Sequence, residues 1–213
     1  MRSLLRWLTM ILSVVIVIII SYVFVDRQIV WWLVAHHSRS LSFFKITAND
    51  ITLLLSVLIV SLYVYYGIKV LLMRLTHWDR KIVLLCHAVV IGQFIKEALK
   101  VVFGRYWPAT FTCHNPSLID NHVYGFNWFN TGAAYASFPS GHATFIFSFA
   151  AVLWSVFPKL RWLACLLCLL VISGQIVMYY HFVSDIIAGA ILGTLVGICV
   201  VQNHQSKKLT DTF

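Results

Sequence analysis

Residues 162–201 run apolar for forty positions, with few polar interruptions. As one helix this stretch would be about 60 Å long, twice the hydrocarbon thickness of a bilayer. It must fold back on itself. Ser173-Gly174-Gln175, followed by Tyr179-Tyr180-His181, marks where. The segment therefore predicts two helices, the second opening at His181. The whole chain has the same character: 61% hydrophobic and 11% charged over 213 residues. A soluble domain carries about 25% charged residues, so the class is integral membrane and all-α.

Four further spans and their connections follow from the same pattern. Trp7–Val25 is longer than a signal-peptide core, and no small-residue cleavage site follows it, so it reads as a retained anchor. Asp26–Asp50 mixes Trp31, Trp32, Phe43 and Phe44 with His36, His37, Arg39 and Lys45, and reads as an interfacial segment. His36-His37 is a possible metal pair, but an interfacial loop accounts for it better. Ile51–Met73 and Ile82–Phe103 are spans joined by the basic turn Arg74–Lys81. Ser140–Phe157 is another, ending at the turn Pro158–Arg161. Gly104–Phe138 is the longest polar connection, and such loops are often functional. The expectation is a bundle of six transmembrane helices with no repeat and no second domain.

The formal charge of +9 is assigned to membrane orientation rather than to nucleic acid. With both termini cytoplasmic, that side receives Arg2, Arg6, Lys69, Arg74, Arg80, Lys81, Lys159, Arg161, Lys207 and Lys208. The other side receives Arg27, Arg39, Lys45, Lys96, Lys100 and Arg105. This bias brings Lys100, Arg105, His142 and His181 to one non-cytoplasmic face. Cys86, Cys165, Cys168 and Cys199 fall in apolar segments and read as packing residues, not as a disulfide or metal set. Cys113 stands in the polar loop without an obvious partner.

The converging groups suit attack on a phosphate ester. His181 can serve as nucleophile. Asp185, at i+4 on the same helical face, can orient its imidazole. His142 can protonate a leaving oxygen and then activate water. Lys100 and Arg105 supply positive charge. Ser140, Gly141 and His142 open a helix whose free amides bind anions, and Gly141 permits close approach. Other readings of these residues stay open. A lone buried histidine is usually structural, and Asp185 also complements the helix dipole. His142, His181 and Asp185 can form a metal set, which the two cations oppose. Lys96 and Glu97 read as a local ion pair. His114 and His122 read as exposed loop residues, with His114 within possible reach of the site.

In order, Lys100…Pro108, Pro139-Ser140-Gly141-His142 and His181…Asp185 resemble the type-2 phosphatidic-acid phosphatase superfamily. The resemblance covers roughly residues 92–201. The family's first motif is a lysine, six residues, then Arg-Pro; here Trp107 replaces the arginine. Its third motif begins Ser-Arg, where this chain has Gly174-Gln175. Arg105, in the run Phe103-Gly104-Arg105, reads as a substitute for the first arginine, and Gln175 as an uncharged donor in place of the second.

The resemblance implies a six-helix membrane fold, and the spans themselves give a single membrane domain over residues 1–213. Residues 1–81 form two N-terminal spans and the interfacial segment, 82–203 a phosphatase-like core and 204–213 a cytoplasmic tail. It implies a phosphohistidine hydrolase of a lipid phosphate or diphosphate. His181, His142 and Asp185 would be catalytic, with Lys100, Arg105, Ser140, Gly141 and Gln175 on the phosphate. No metal or other cofactor is expected. The expected partners are the bilayer and a phospholipid, polyprenyl phosphate or lipid A phosphate, with the site on the outer face of a bacterial inner membrane. A lipid-to-lipid phosphotransferase and a catalytically weak lipid-binding protein are the alternatives. The aromatic run Phe126–Phe129, with Trp107, is expected at the entrance.

Overall fold

A computed structural model describes residues 2–111 and 114–210; Cys113 lies outside the described residues. The fold is all-helical. Its elements are α1 (Arg2–Ile20), a π turn (Ser21–Val25), α2 (Asp26–Ala35), α3 (Ser42–Leu71), α4 (His77–Phe103), α5 (Leu118–Asn121), α6 (Gly141–Val156), α7 (Arg161–Val177) and α8 (Val183–Thr210). Leu8–Ala35, Ser42–Leu71, His77–Phe103, Pro158–Val177 and Val183–Gln205 are long and apolar enough to cross a membrane. The sixth apolar helix, α6, has 16 residues, or about 24 Å. It falls short of the length that six full spans require. The reason is its position: α6 packs against α4, α7 and α8 and begins inside the protein, at the Pro139-Ser140 turn.

The N-terminal third departs from the expected interfacial segment. Asp26 does not end the first helix. Its amide donates to the Ser21 carbonyl, five residues back, and the helix continues through Ala35. Only His36–Leu41 turns, and α3 begins at Ser42, nine residues before the expected span. A charge inside an apolar helix persists when it is paired, and Asp26 is fully paired, as described below. At the far end, α8 runs on to Thr210, through part of the expected tail.

Outward faces of the helices are apolar and exposed: Leu54 at 70%, Phe94 at 78% and Val60 at 63%. Exposure of this kind fits lipid contact. The main core joins α3, α4, α6, α7 and α8 through Leu55, Ile59, Leu85, Val89, Ile146, Phe149, Val152, Val171 and Val201. A second cluster, with Val30, Leu33, Leu118, Tyr179 and Phe182, seats α2 against the long loop.

Gly174 sits at a close helix approach that excludes a larger side chain. A Cβ there would stand 2.6 Å from the Ala48 nitrogen and 2.7 Å from Thr47 Oγ1. Helix α3 therefore lies directly on α7 at this point. Gly174→Val is expected to destabilise the fold by about 1–3 kcal/mol through overpacking, read as a lower melting temperature of the purified protein. Gly67→Ala is the control: an added Cβ meets nothing within 4 Å, and the melting temperature should hold or rise.

Candidate active site

The end of α4, the start of α6 and the α7–α8 junction meet at one end of the bundle. Ser140 caps α6, its Oγ accepting from the Ala143 amide at 3.3 Å. The cap leaves the hydroxyl proton free to donate. The Ser140 amide donates to the Asp185 carbonyl at 3.0 Å, so the α6 turn is tied to α8. Along α4, Gln93, Lys96 and Lys100 follow at i, i+3 and i+7, one face of a helix. Gln93 Nε2 donates to the Gly141 carbonyl at 3.0 Å. A Cβ on Gly141 would stand 3.2 Å from Lys96 Cδ and 3.3 Å from its Nζ. Lys96 bonds Glu97, as the local ion-pair reading has it, but its buried stem also covers Gly141. That second role has no signature in the sequence.

His142 and His181 approach across this junction, with ring centroids 6.3 Å apart. His181 is nearly enclosed, at 5% exposure. Its Nδ1 lies 3.5 Å from Asp185 Oδ2, longer than a closed hydrogen bond; catalytic contacts are often long before substrate binds. Nδ1 faces the carboxylate, so the other ring nitrogen points away from it. Asp185 is held tightly: Oδ2 accepts from Ser137 Oγ at 2.7 Å and from the Phe182 amide at 3.0 Å, while Oδ1 takes Arg105 Nη1. Burial pushes the His181 pKa below its ordinary value, and Asp185 opposes but does not cancel this. The site thus favours the neutral imidazole over the charged one.

Arg105 is not at the expected place. It is fully buried and joins two carboxylates. Nη1 donates to Asp185 and, at 2.6 Å, to Ser184 Oγ; Nη2 donates to Asp26 at 2.7 Å and to the Tyr124 hydroxyl at 3.2 Å. Burial works against its charge, but Asp185 and Asp26 outweigh it and raise its pKa. Its terminal nitrogens are committed, so the expected phosphate contact is corrected to support of Asp185. Gln175 is also corrected. Its Nε2 donates to the Ala48 carbonyl at 2.7 Å, so the Gly174-Gln175 pair docks α7 on α3.

A cavity of about 520 Å³ opens beside this junction, lined by Lys100, Trp107, Phe111, Asn115, Asn130 and Gly132 among others. Trp107 forms its wall toward the histidines: its indole packs on His181 with centroids 5.1 Å apart and donates to the Ala133 carbonyl at 2.7 Å. Phe126 and Trp128 pack instead with Phe103. His114 and His122 are exposed. His36 stacks on Trp32 in the α2–α3 turn.

The residues absent from the sequence-based site are Asp26, Tyr124, Ser137 and Ser184. Asp26 had a signal: it is an acid within a long apolar helix, and ionisable groups at such positions are rarely idle. The hydroxyls had none.

The sequence matches the PAP2 superfamily over residues 81–209. A Lipid A 1-phosphatase from Rhizobium etli is 34% identical over 106 residues, 49% of this chain and 42% of that protein. A Lipid A 1-phosphatase from Rhizobium johnstonii is 33% identical over 106 residues, covering 40% of its length. The chain thus spans about two-fifths of these curated relatives. No solved structure matches. The family match covers more than half of the chain, includes the histidines, Asp185 and Lys100, and agrees with the all-helical architecture: the chain belongs to the PAP2 superfamily.

Proposed function

We propose that the protein hydrolyses a lipid phosphate, with a glycolipid 1-phosphate of the lipid A kind first among substrates, at the outer face of a bacterial inner membrane. The observation that carries the reading is the approach of His142 and His181 beside the α6 N-terminus, with Asp185 immobilised behind His181. The headgroup enters by the cavity at Lys100 and Trp107 while its tails stay in the bilayer. The α6 amides, Ser140 and Lys100 receive the phosphate oxygens, with Lys96 adding charge beside Gly141. The outer-face placement rests on the distribution of Lys and Arg.

The chemistry runs in two steps. The free nitrogen of His181 forms a bond to phosphorus as the ester P–O bond breaks. The departing oxygen keeps the electron pair and takes a proton from His142, whose protonated form the bound phosphate anion stabilises against burial and the neighbouring His181 and Lys100. Water then attacks phosphorus, giving a proton to His142, and the P–N bond breaks to release phosphate and His181. Asp185 stabilises the positive charge on His181 between the steps. The cations line the site where a metal would otherwise neutralise phosphate charge, so turnover is proposed to be metal-independent.

The test is phosphate release by the purified full-length protein from lipid A 1-phosphate, phosphatidate and polyprenyl diphosphate, with and without chelator. Hydrolysis gives free phosphate, and a phosphorylated acceptor lipid would mark a phosphotransferase. Arg105 and Gln175 are engaged away from the phosphate, which favours a second reading: a lipid-binding protein with weak or no catalysis. Binding without turnover on the whole panel would establish it.

One pH effect follows. The nucleophile must be neutral, and its pKa is held below the ordinary value of about 6.5 by burial. Protonation therefore competes only in more acid solution. The acid limb of kcat/KM is expected below pH about 6.5, measured with the preferred substrate across pH 4–9. A limb above about 7 would contradict a buried neutral His181.

A further inference from the structure

The N-terminal helix lies outside the family match, which begins at residue 81. It nevertheless carries a fully enclosed carboxylate into the support of the site. We propose that Asp26 is a positioning residue for the reaction: through Arg105 and the start of α8 it fixes Asp185 behind His181 and sets the charge that faces the nucleophile. This rests on the phosphatase reading above.

The contacts of Asp26 all point to that end. Oδ1 accepts from the Ser184 amide at 2.9 Å, and Oδ2 from Ser184 Oγ at 2.5 Å, Arg105 Nη2 at 2.7 Å and Tyr124 OH at 3.2 Å. Ser184 precedes Asp185 in the chain, and its hydroxyl also takes Arg105 Nη1. Asp26 thus grips both the residue beside Asp185 and the cation bonded to it. The helix is shaped for this. The π turn immediately before Asp26 shifts its register, and such turns occur frequently at functional sites. The Tyr22 carbonyl within that turn accepts Tyr124 OH at 2.6 Å, which holds Tyr124 against the same cluster.

Charge counting gives the consequence. Asp26 and Asp185 around Arg105 leave one net negative charge next to His181. Without Asp26, Arg105 neutralises Asp185, and the positive charge that His181 acquires on binding phosphorus loses its counter-charge. The other charged or titratable groups near the ring are Lys100 on α4, His142 on α6, and Asp185 and Arg105 themselves; Asp26→Asn leaves the charge-bearing group of each of them in place.

Asp26→Asn keeps the shape and removes the charge. In the purified full-length protein acting on its preferred lipid phosphate, kcat should fall about 10- to 100-fold. KM should stay within about threefold. The acid limb of the pH profile should move to lower pH, because a missing negative charge makes His181 harder to protonate. A helix-docking role alone predicts a lower melting temperature but unchanged kcat and pH profile per folded molecule, and that result overturns the proposal. Where Asp26→Asn does not yield folded protein, Ser184→Ala carries the test. It deletes the hydroxyl shared by Asp26 and Arg105, keeps both charges, and should lower kcat about three- to tenfold at constant KM; unchanged kcat overturns the proposal. His181→Ala separates the two claims. If it is as active as wild type, the phosphatase reading fails; if it is inactive while Asp26→Asn matches wild type, only the role of Asp26 fails.

Discussion

His181→Ala is expected to lower kcat for phosphate release by at least about 10⁴-fold, because the P–N bond then has no nitrogen to form on. The fold should tolerate the change. Asp185 keeps Ser137 Oγ, the Phe182 amide and Arg105, so no buried carboxylate is stranded. The expected signature is lost turnover with a melting temperature close to wild type. His142→Ala should cost less, about 10²–10⁴-fold. Its loss should be smaller on an aryl phosphate, whose leaving group needs no proton. A His181→Ala protein that turns over normally would remove the nucleophile from the mechanism.

Arg105→Met should produce the largest loss of stability. The guanidinium joins two fully buried carboxylates, Asp26 and Asp185. Removing one partner of a buried ion pair costs about 3–5 kcal/mol, because the charge left behind is uncompensated. For a chain of this size that corresponds to a melting temperature lower by roughly 6–20 °C. Arg105→Lys should rescue little, since a single ammonium cannot bridge both carboxylates as two guanidinium nitrogens do. Adding Asp26→Asn to Arg105→Met should recover part of the lost stability by removing one stranded charge, although not the activity. Thermal melts of the three variants in one detergent decide this. A wild-type melting temperature for Arg105→Met would mean that the cluster contributes nothing to the fold.

Most of the bundle was legible because apolar length and turn residues are local properties. The forty-residue run was too long for one span and divides between Val177 and Val183, at Tyr179-Tyr180-His181, whereas Ser173-Gly174-Gln175 stays inside α7 and does not break it. The motif residues could also be placed together, since helix order alone sends the end of α4 and the starts of α6 and α8 to one end. Errors arose where a residue's role depends on a distant partner. Asp26 looked like the end of a span, because sequence does not show that Arg105 lies against it. Arg105 looked like a phosphate ligand, because its spacing suited the motif and two buried acids are invisible in one dimension. Gly174-Gln175 looked like a weakened phosphate motif, whereas the close approach of α3 gives that pair a packing role. The sixth span rests on α6, which at 16 residues is shorter than the five helices long enough to cross a membrane.

Covalent catalysis at His181 passes through a phosphohistidine that can be trapped. The full-length protein would be mixed with its preferred lipid carrying labelled phosphate, quenched in alkali, where a phosphohistidine P–N bond survives, and mapped by peptide mass spectrometry. One labelled peptide is expected, modified at His181, formed within the first turnover and absent in His181→Ala. Label on another residue, or turnover by wild type with no labelled protein at any time, would contradict it.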